Sequence, residues 1–463
     1  MSLPAPPVLP VAARRGGAVE AELRQLDGDG PLVGWFRLEG GKHRGAIGPV
    51  EGETIARLVH SAVEAGVPVV GVLSTSGADV GLGVASLHAW GHMASQLAAA
   101  SGVVPVVMVV VGPAVSGPAL LLGLADVVIM TQDAFAYVSG PDAVQRFTGL
   151  DATNESLGGA AMHSCKSGVA ALVAGDEDEA MAMAVDVLSL LPPNNATPAP
   201  VCACEDPVDR PVRQAVEAVP GSATASYDVR RVIEDLCDDG WFLELKAAYA
   251  PNLVTALGRI GGHAVGFVAN QPNQLAGTLD IEGSQKGARF VQWCDAFGIS
   301  LVSLVDTPGF QPGKDIEWRG MIRHGAQLVH AYGAATVPRV SVILRKAYGG
   351  AYIVMDAKDM GNDLAVAWPD SQIAVMGAPQ AVQVLHGRRL AKADDPDAAA
   401  AERAELEAEY VARYCTPAIA AARGYIDDVI DPLTTRLVLA GALEALVHKR
   451  AHVTGRRHSN GPL

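Results

Sequence analysis

The stretch ARLVHSAVEAGVPVVGVLSTSGADVG, residues 56–81, decides the fold, because the chain repeats its pattern 232 residues later as ARFVQWCDAFGISLVSLVDTPGFQPG, residues 288–313. Eight of the 26 aligned positions are identical, where average residue frequencies would give about two by chance. The identical pairs include Gly66 and Gly298, Thr75 and Thr307, and Gly77 and Gly309. Two copies of one supersecondary unit predict a chain built of two similar domains.

Each copy has the same order of predicted elements. An amphipathic helix leads into a buried strand, a Gly-rich loop and a second helix, and a second buried strand then ends in a Gly-containing turn that opens a third helix. The first helix is predicted at 53–65 and 285–297, the second buried strand at 103–111 and 337–345, and the third helix at 112–124 and 346–357. Strands that alternate with helices predict parallel sheets with right-handed crossovers, so the fold class is α/β. We place the two domains at 1–225 and 226–463.

Composition and charge restrict the function classes. Of the 463 residues, 49% are hydrophobic and 50 are glycine, which is typical of a buried α/β core with many tight turns. The net charge of −15 argues against a nucleic-acid partner, since no basic field is available to displace counterions. The apolar stretch 103–130 contains Pro and Gly breaks, so a buried strand and helix fit it better than a membrane span.

Location and metal content follow from the same features. The N-terminus lacks the charged start and apolar core of a secretory signal, so a cytoplasmic location is expected, with no membrane partner. The six cysteines are scattered and do not have the spacing of a structural zinc site. We therefore expect no metal.

The turn after the second buried strand is the candidate site in each half. It is Ser116-Gly117 in the first half and Gly349-Gly350-Ala351 in the second. A helix that begins at such a turn has N–H groups without partners, and its dipole adds positive potential there. Two N–H groups aimed at one point would form an oxyanion hole. A simple capping turn is the alternative, and the occurrence of the turn in both copies favours the functional interpretation.

Several longer motifs surround these turns. The second half contains DTPGFQPG (306–313), RKAYGGAYIVM (345–355) and AWPDSQIAVMGAPQAV (367–382), and the first half contains GPAVSGPALLLGLADVVIM (112–130) and VSGPDAVQRFTG (138–149). With these motifs the chain resembles the carboxyltransferase (beta) subunits of acyl-CoA carboxylases, over most of residues 45–430. Members of that family consist of two tandem crotonase-like (ClpP/crotonase) domains with a ββα superhelix, which agrees with the internal repeat.

The resemblance implies a mechanism with two oxyanion holes. Carboxybiotin, delivered on a separate carrier, would donate its carboxyl group to the α-carbon of a coenzyme A thioester, and the released biotin nitrogen would accept the α-proton. The N–H groups of Ser116 and Gly117 would hold the thioester oxygen, and those of Gly350 and Ala351 the biotin carbonyl oxygen. The residues expected to line the substrate pockets are Gly112, Pro113, Gly349, Tyr352, Ile353, Thr307, Pro308 and Gly309.

Two residues depart from the family pattern. Ser116 stands where the family usually has glycine, and a backbone donor survives that change unless the position needs a positive φ. Ile353 stands where propionyl-type relatives carry aspartate, and this apolar residue favours acetyl-CoA as substrate, with malonyl-CoA as product. Propionyl-CoA is the alternative acyl substrate.

The expected partners follow from the resemblance and from motifs that the sequence lacks. It contains no biotin-accepting Met-Lys-Met segment and no Walker-type ATP loop, so a biotin carboxylase and a biotin carboxyl carrier are expected as partners. Relatives place the active site between protomers, and a homo-oligomer, a hexamer or a dimer, is therefore expected. A biotin-dependent decarboxylase or transcarboxylase subunit and a non-catalytic scaffold paralogue remain alternatives.

Overall fold

The chain forms two compact units. The computed structural model describes residues 14–26, 30–40, 43–392, 395–449, 451, 455 and 460–462. The first unit extends to Pro200 and includes Lys246–Tyr249, and the second comprises Val201–Leu245 and the chain from Ala250 onward. This division differs from the predicted boundary at 225/226, because residues of 201–225, among them Val212 and Ala215, are fully buried in the core of the second unit.

The first unit is one mixed sheet with helices packed on it. Its strands are β1 (Arg14–Gly16), β2 (Val19–Gln25), β3 (Leu32–Leu38), β4 (Val69–Thr75), β5 (Val106–Val115), β6 (Val127–Thr131), β7 (Phe135–Tyr137) and β8 (Leu172–Ala174). Its helices are α1 (Pro49–Ala65), α2 (Val84–Ala100), α3 (Pro141–Thr148), α4 (Asn154–Gly158), α5 (Ala160–Met162) and α6 (Glu177–Ser189). The strand order is β1-β2-β3-β4-β5-β6-β8, and β7 pairs with the end of β5. The pairs of β2 are antiparallel, and the remaining pairs are parallel.

The second unit repeats this sheet strand by strand. Its strands are β9 (Phe242–Leu245), β10 (Leu253–Ile260), β11 (His263–Asn270), β12 (Ser300–Thr307), β13 (Arg339–Tyr348), β14 (Leu364–Ala367), β15 (Gln372–Ala374) and β16 (Asp428–Val429). Its helices are α7 (Arg213–Ala218), α8 (Arg230–Leu236), α9 (Ile281–Ala296), α10 (Lys314–Trp318), α11 (Met321–Ala334), α12 (Gly349–Val354), α13 (Ala378–Leu390), α14 (Pro396–Tyr410), α15 (Pro417–Ala422) and α16 (Thr435–Leu446). The order β9-β10-β11-β12-β13-β14-β16, with β15 on β13, matches that of the first unit position for position.

The duplication extends to backbone detail. The register of β4 against β5 shifts between Leu73 and Thr75, and that of β12 against β13 shifts between Val305 and Thr307. After each shift a threonine hydroxyl accepts the N–H of a glycine two residues on, at 3.1 Å for Thr75 and Gly77 and at 3.3 Å for Thr307 and Gly309. Gly66 and Gly298, which follow α1 and α9, have φ of 66° and 67°, a conformation that glycine adopts without steric cost. The repeat found in the sequence is therefore a repeat of structure.

The strands before the two candidate turns are longer than predicted. β5 continues to Val115 and β13 to Tyr348, so the helices predicted from 112 and 346 begin later. The first is a 3-10 helix over Gly117–Leu124, and the second is α12. Parallel pairing to the short strands β7 and β15 extends both strands past their register shifts. Pro113 is accommodated in this added segment, opposite Phe135 of β7.

A buried arginine joins the last helix of the second unit to its first segment. The guanidinium of Arg436 on α16 donates to the carbonyl oxygen of Leu236 at 2.6 Å and pairs with the carboxylate of Asp238 at 2.7 Å. It also lies 3.2 Å from the carboxylate of Asp206. Arg436 is fully buried, and a buried charge needs such partners to offset its desolvation.

Among the described residues, no helix has both the length and the apolar character that a membrane span requires. In the part of the chain that the structure describes, no group of three or more His, Cys, Asp or Glu side chains is arranged to hold a metal ion.

Candidate active site

The turn of the first unit lies at the carboxyl ends of the parallel strands β4 and β5, where α/β folds commonly bind ligands. Ser116 follows β5 and is exposed, and Gly117 opens the 3-10 helix. The ring of Trp90 from α2 lies against Gly117, so a Cβ added to that glycine would be 3.3 Å from the nearest indole carbon. Gly112 and Pro113 lie within β5, before the turn.

The predicted pair of N–H donors at this turn is not available as a pair. The N–H of Ser116 donates to the carbonyl oxygen of Tyr137 at 2.9 Å, which continues the pairing of β5 with β7. Pro118, the residue after Gly117, has no N–H. The next N–H, that of Ala119, donates to the carbonyl oxygen of Ser116. Gly117 is therefore the remaining backbone donor of the pair that the sequence predicted.

Ser116 also has an unusual backbone conformation for a residue with a side chain. Its φ is 68° and its ψ is −157°, a region that is almost restricted to glycine and costs a non-glycine residue about 1–3 kcal/mol. The aligned residue of the second unit is Gly349, with φ of 62°. The position requires a positive φ in both copies, and only the second copy has the residue suited to it.

We expect Ser116→Gly to raise the free energy of unfolding by about 1 kcal/mol. The relief of backbone strain exceeds the extra conformational entropy that glycine gives the unfolded chain, which is about 0.5–1 kcal/mol. Urea denaturation of the purified chain would measure the change. The reverse exchange, Gly349→Ser, is the matched control and should destabilise, since it places a Cβ 3.1 Å from the carbonyl oxygen of Val375 at a positive φ. Equal stability of Ser116→Gly and the unaltered chain would show that the turn carries no strain.

In the second unit a strand passes directly into a helix at the turn. β13 ends at Tyr348, and α12 begins at Gly349. The first N–H groups of α12, including those of Gly350 and Ala351, have no acceptor within the helix. Gly350 is exposed, whereas Ala351 is fully buried, so Gly350 is the residue of this pair that faces solvent. The ring of Phe310 lies beside it, 3.6 Å from the position that a Cβ of Gly350 would take.

A buried ion pair fixes the C-terminal end of α12. Asp356 has φ of 65° and accepts a hydrogen bond from Arg339 at 2.6 Å and another from Asn362 at 2.8 Å. Burial raises the pKa of Asp356 to about 6, and the charge of Arg339 opposes this shift. The helix that presents the Gly350 N–H is therefore held at both ends, by β13 and by this pair.

A mainly apolar pocket of about 610 Å³ opens at the start of α12. Four predicted substrate-binding or catalytic residues line it together: Gly349, Gly350, Tyr352 and Ile353. The pocket is also lined by Leu385, Tyr410, Tyr414, Arg423 and Tyr425, among others. Burial raises the pKa of Tyr352 to about 12, so its hydroxyl remains protonated near neutral pH. Polar N–H groups at one end and apolar walls suit a flat ring with one strong acceptor, such as the ureido ring of biotin.

The loop DTPGF forms the end of β12 next to the turn of the second unit. Thr307 is fully buried, and its hydroxyl fixes the turn at Gly309, as described above. Gly309 has φ of 143°, so glycine is required there for conformational reasons. Pro308 lies between them and is partly exposed. These three predicted residues shape the end of the strand, and Phe310, which the sequence did not indicate, is the residue of this loop beside Gly350.

A cluster of buried charges lies behind the same strand ends. Asp306 accepts from Arg345 at 3.0 Å and lies 3.6 Å from the ammonium of Lys346. Arg345 also donates to the carbonyl oxygens of Ser222 and Ala225. Burial lowers the pKa of Lys346, and the charge of Arg345 lowers it further, while Asp306 raises it. The carboxylate of Asp306 thus pairs with two buried cations, which precede in sequence the residues that form the turn.

Sequence reasoning missed the residues that complete the pocket. Tyr410 and Tyr414 are four residues apart and their rings are 5.1 Å apart, a spacing that places both on one side of a helix. That spacing alone could not show that the pair faces Gly350, since α12 and the 410–415 segment are far apart in sequence. Tyr425 and Arg423 follow α15 and gave no signal either.

Comparisons with known proteins extend over nearly the whole chain. A model of the carboxyl transferase domain family matches residues 29–460. The chain is 43% identical over 456 residues to the propionyl-CoA carboxylase beta chain of Saccharopolyspora erythraea, which covers 94% of this chain and 84% of that protein. It is 43% identical over 455 residues to the biotin-dependent acetyl-/propionyl-coenzyme A carboxylase beta5 subunit of Mycobacterium leprae, with 94% and 83% covered. The solved structure of transcarboxylase 12S with hydrolyzed methylmalonyl-coenzyme A bound superposes with a TM-score of 0.91 at 40% identity, with 96% and 85% covered.

The two sheets have the same strand order, and in each of them one strand ends in a turn that opens a helix. These features define a tandem crotonase-like protein, and the predicted fold is confirmed. The chain belongs to the carboxyl transferase domain family, and within it to the carboxyltransferases of biotin-dependent acyl-CoA carboxylases. The predictions of biotin on a separate carrier as carboxyl donor and of a coenzyme A thioester as substrate are confirmed by this membership. The preference for acetyl-CoA is not confirmed by it.

Proposed function

We propose that this chain transfers a carboxyl group from carboxybiotin to the α-carbon of a short acyl-CoA. Propionyl-CoA is the first candidate substrate, and methylmalonyl-CoA is then the product. The observation that carries the proposal is the pairing of family membership with the turn at Gly349 and Gly350, which opens a helix into an apolar pocket. Relatives named propionyl-CoA carboxylase support the choice of substrate.

The residues of this chain would act through hydrogen bonds rather than through a side-chain base. Carboxybiotin supplies the carboxyl group and leaves a ureido oxyanion whose charge needs stabilisation. The N–H groups of Gly350 and Ala351, at the positive end of α12, would donate to that oxygen, and Gly350 is the exposed residue of the two. In the first unit the Gly117 N–H would donate to the thioester oxygen. A donor of this kind contributes about 10²–10³ in rate.

Acetyl-CoA is the second candidate substrate, and Ile353 is the observation that favours it. Its side chain is 42% exposed and lines the pocket proposed for biotin, beside Tyr352. The acyl α-carbon has to approach carboxybiotin for the transfer, so a residue of this pocket would also contact the acyl group. The chain would then produce malonyl-CoA. A reconstituted complex that fixes radioactive bicarbonate onto a panel of acyl-CoAs tests both candidates, and failure to carboxylate any acyl-CoA would contradict the proposed function itself.

Ile353→Asp should shift the ratio of kcat/KM for propionyl-CoA over acetyl-CoA about tenfold or more toward propionyl-CoA. The direction follows from the family resemblance, in which propionyl-type members carry aspartate at this position. The two substrates differ by one methylene group, a difference that a pocket can discriminate by about 10–200-fold. Competition between the two substrates in one reaction measures the ratio directly. Ile353→Val keeps the apolar wall and is the control. An unchanged ratio in Ile353→Asp would mean that this residue does not contribute to acyl selection.

The proposed reaction requires partner subunits. Carboxybiotin has to be made with ATP by a biotin carboxylase and delivered by a biotin carboxyl carrier, and family membership supports both predicted partners. A homo-oligomer is proposed as well, with support from a structural neighbour described as a hexamer. A transcarboxylase that takes its carboxyl group from another acyl-CoA uses the same two turns, and a dependence of product formation on ATP distinguishes the carboxylase from it.

A further inference from the structure

The side chain of Ser116, which follows β5, lies next to Gly77 in the loop that follows β4. A Cβ added to Gly77 would be 2.9 Å from the Cβ of Ser116 and 3.6 Å from its hydroxyl oxygen. In the second unit a Cβ added to Gly309, the counterpart of Gly77, would meet no atom within 4 Å. The hydroxymethyl group of Ser116 therefore occupies a volume at the candidate acyl site that is open at the candidate biotin site.

The same turn has only one of the two backbone N–H donors that the sequence predicted for an oxyanion hole. The N–H of Ser116 is bonded to Tyr137, Pro118 has none, and the N–H of Ala119 is bonded to Ser116. Oxyanion holes combine backbone N–H groups with side-chain donors, and in this turn Gly117 supplies one backbone N–H. The exposed hydroxyl next to it is a donor that can rotate toward a ligand.

We infer that the hydroxyl of Ser116 is the second hydrogen-bond donor to the thioester oxygen of the acyl-CoA. The inference rests on the proposed function. When the α-proton passes to the biotin nitrogen that has released its carboxyl group, negative charge develops on the thioester oxygen, and the O–H of Ser116 donates to it beside the N–H of Gly117. No bond to Ser116 forms or breaks. Glycine would adopt the positive φ of this position with less strain, but serine adds a hydroxyl group that acts as a second hydrogen-bond donor.

Ser116→Ala and Ser116→Gly, tested in the complex with biotin carboxylase and carrier, examine this role. Both variants should lower kcat for the preferred acyl-CoA about tenfold or more, although Ser116→Gly should be the more stable protein. Ser189→Ala is the matched control, because that serine is exposed on α6 and its hydroxyl donates to the carbonyl oxygen of Asp186 in the same helix. Its kcat should equal that of the unaltered chain.

A second measurement separates a hydrogen bond to the substrate from a packing role. The probe is the thioether analogue of the acyl-CoA, in which a methylene group replaces the thioester carbonyl. Ser116→Ala should bind this analogue as tightly as the unaltered chain does, since the analogue offers no oxygen to the hydroxyl. Weaker binding of the analogue by Ser116→Ala would assign Ser116 a packing role and overturn the inference.

The outcomes distinguish this inference from the proposed function. If the unaltered complex carboxylates no acyl-CoA, the proposed function fails. If the unaltered complex is active and both Ser116 variants keep its kcat, the proposed function stands and the hydroxyl has no catalytic role.

Discussion

Gly350→Pro should lower the rate of carboxyl transfer about 100-fold or more and leave the fold intact. Proline removes one N–H, that of the exposed residue in the second turn, and each donor to a developing oxyanion contributes about 10²–10³ in kcat. Proline is tolerated in the first turn of a helix, and Gly350 is the second residue of α12. The residue before it, Gly349, is a glycine and can adopt the backbone conformations that a following proline allows.

Gly350→Ala is the matched control, because it keeps the N–H and adds a methyl group. That methyl would lie 3.6 Å from the ring of Phe310, an ordinary contact distance. Any loss of activity in Gly350→Ala measures the effect of the added methyl group. The further loss in Gly350→Pro measures the effect of removing the N–H donor. The rates are measured with the reconstituted complex at saturating acyl-CoA, and circular dichroism checks the fold. Equal rates for the two variants would remove Gly350 from the oxyanion hole.

Asp306→Asn should lower the free energy of unfolding of the second unit by about 3–5 kcal/mol. The change leaves Arg345 and Lys346 buried without their carboxylate, and removal of one member of a buried ion pair typically costs that much. The side chains of these two cations are 5% and 10% exposed, so water cannot replace the lost charge well. The carbonyl oxygens of Ser222 and Ala225 remain as partners of Arg345, which places the expected loss at the lower end of the range.

Asp315→Asn provides the comparison for this prediction. Asp315 pairs with Arg319 at 3.6 Å, and its side chain is 79% exposed, so its loss should leave stability unchanged. Urea unfolding followed by fluorescence measures both variants. Adding Lys346→Met to Asp306→Asn should recover part of the loss, because one unpaired cation is then removed. An Asp306→Asn protein as stable as the Asp315→Asn protein would show that the carboxylate does not stabilise this cluster.

The duplicated fold could be predicted because the repeat is carried by residues with strict conformational roles. Gly66, Gly298 and Gly77 have positive φ, and Thr75 and Thr307 fix matching turns. Such positions accept few residue types, whereas the buried aliphatic residues between them can exchange with one another at little cost. A short alignment without gaps was therefore sufficient to indicate two copies.

The ends of β5 and β13 could not be predicted from local sequence. Glycine and proline at 112, 113, 117 and 118 read as a turn that begins at residue 112. The strand continues because β7, which follows later in the chain, pairs with residues 113–115. The same pairing engages the N–H of Ser116, and this contact between separate segments decides how many donors the turn retains.

The boundary between the two compact units could not be located from local composition for a similar reason. The segment from 201 to 225 is rich in proline and polar residues, and local composition indicated a connection between domains. Its contacts include residues far along the chain, such as the hydrogen bond from the N–H of Val212 to the carbonyl oxygen of Leu433. Composition does not report such pairings, which need the folded chain.

The contacts of Arg436 bear on any attempt to express the second half of this protein by itself. A chain that starts at residue 226 would omit Asp206 and the carbonyl oxygen of Pro207, two of the groups that surround this guanidinium. It would also omit Arg210, which bonds the buried carboxylate of Asp235 at 2.8 Å. A recombinant second half should therefore begin at or before residue 201. A second half that begins at residue 226 should be recovered as insoluble protein.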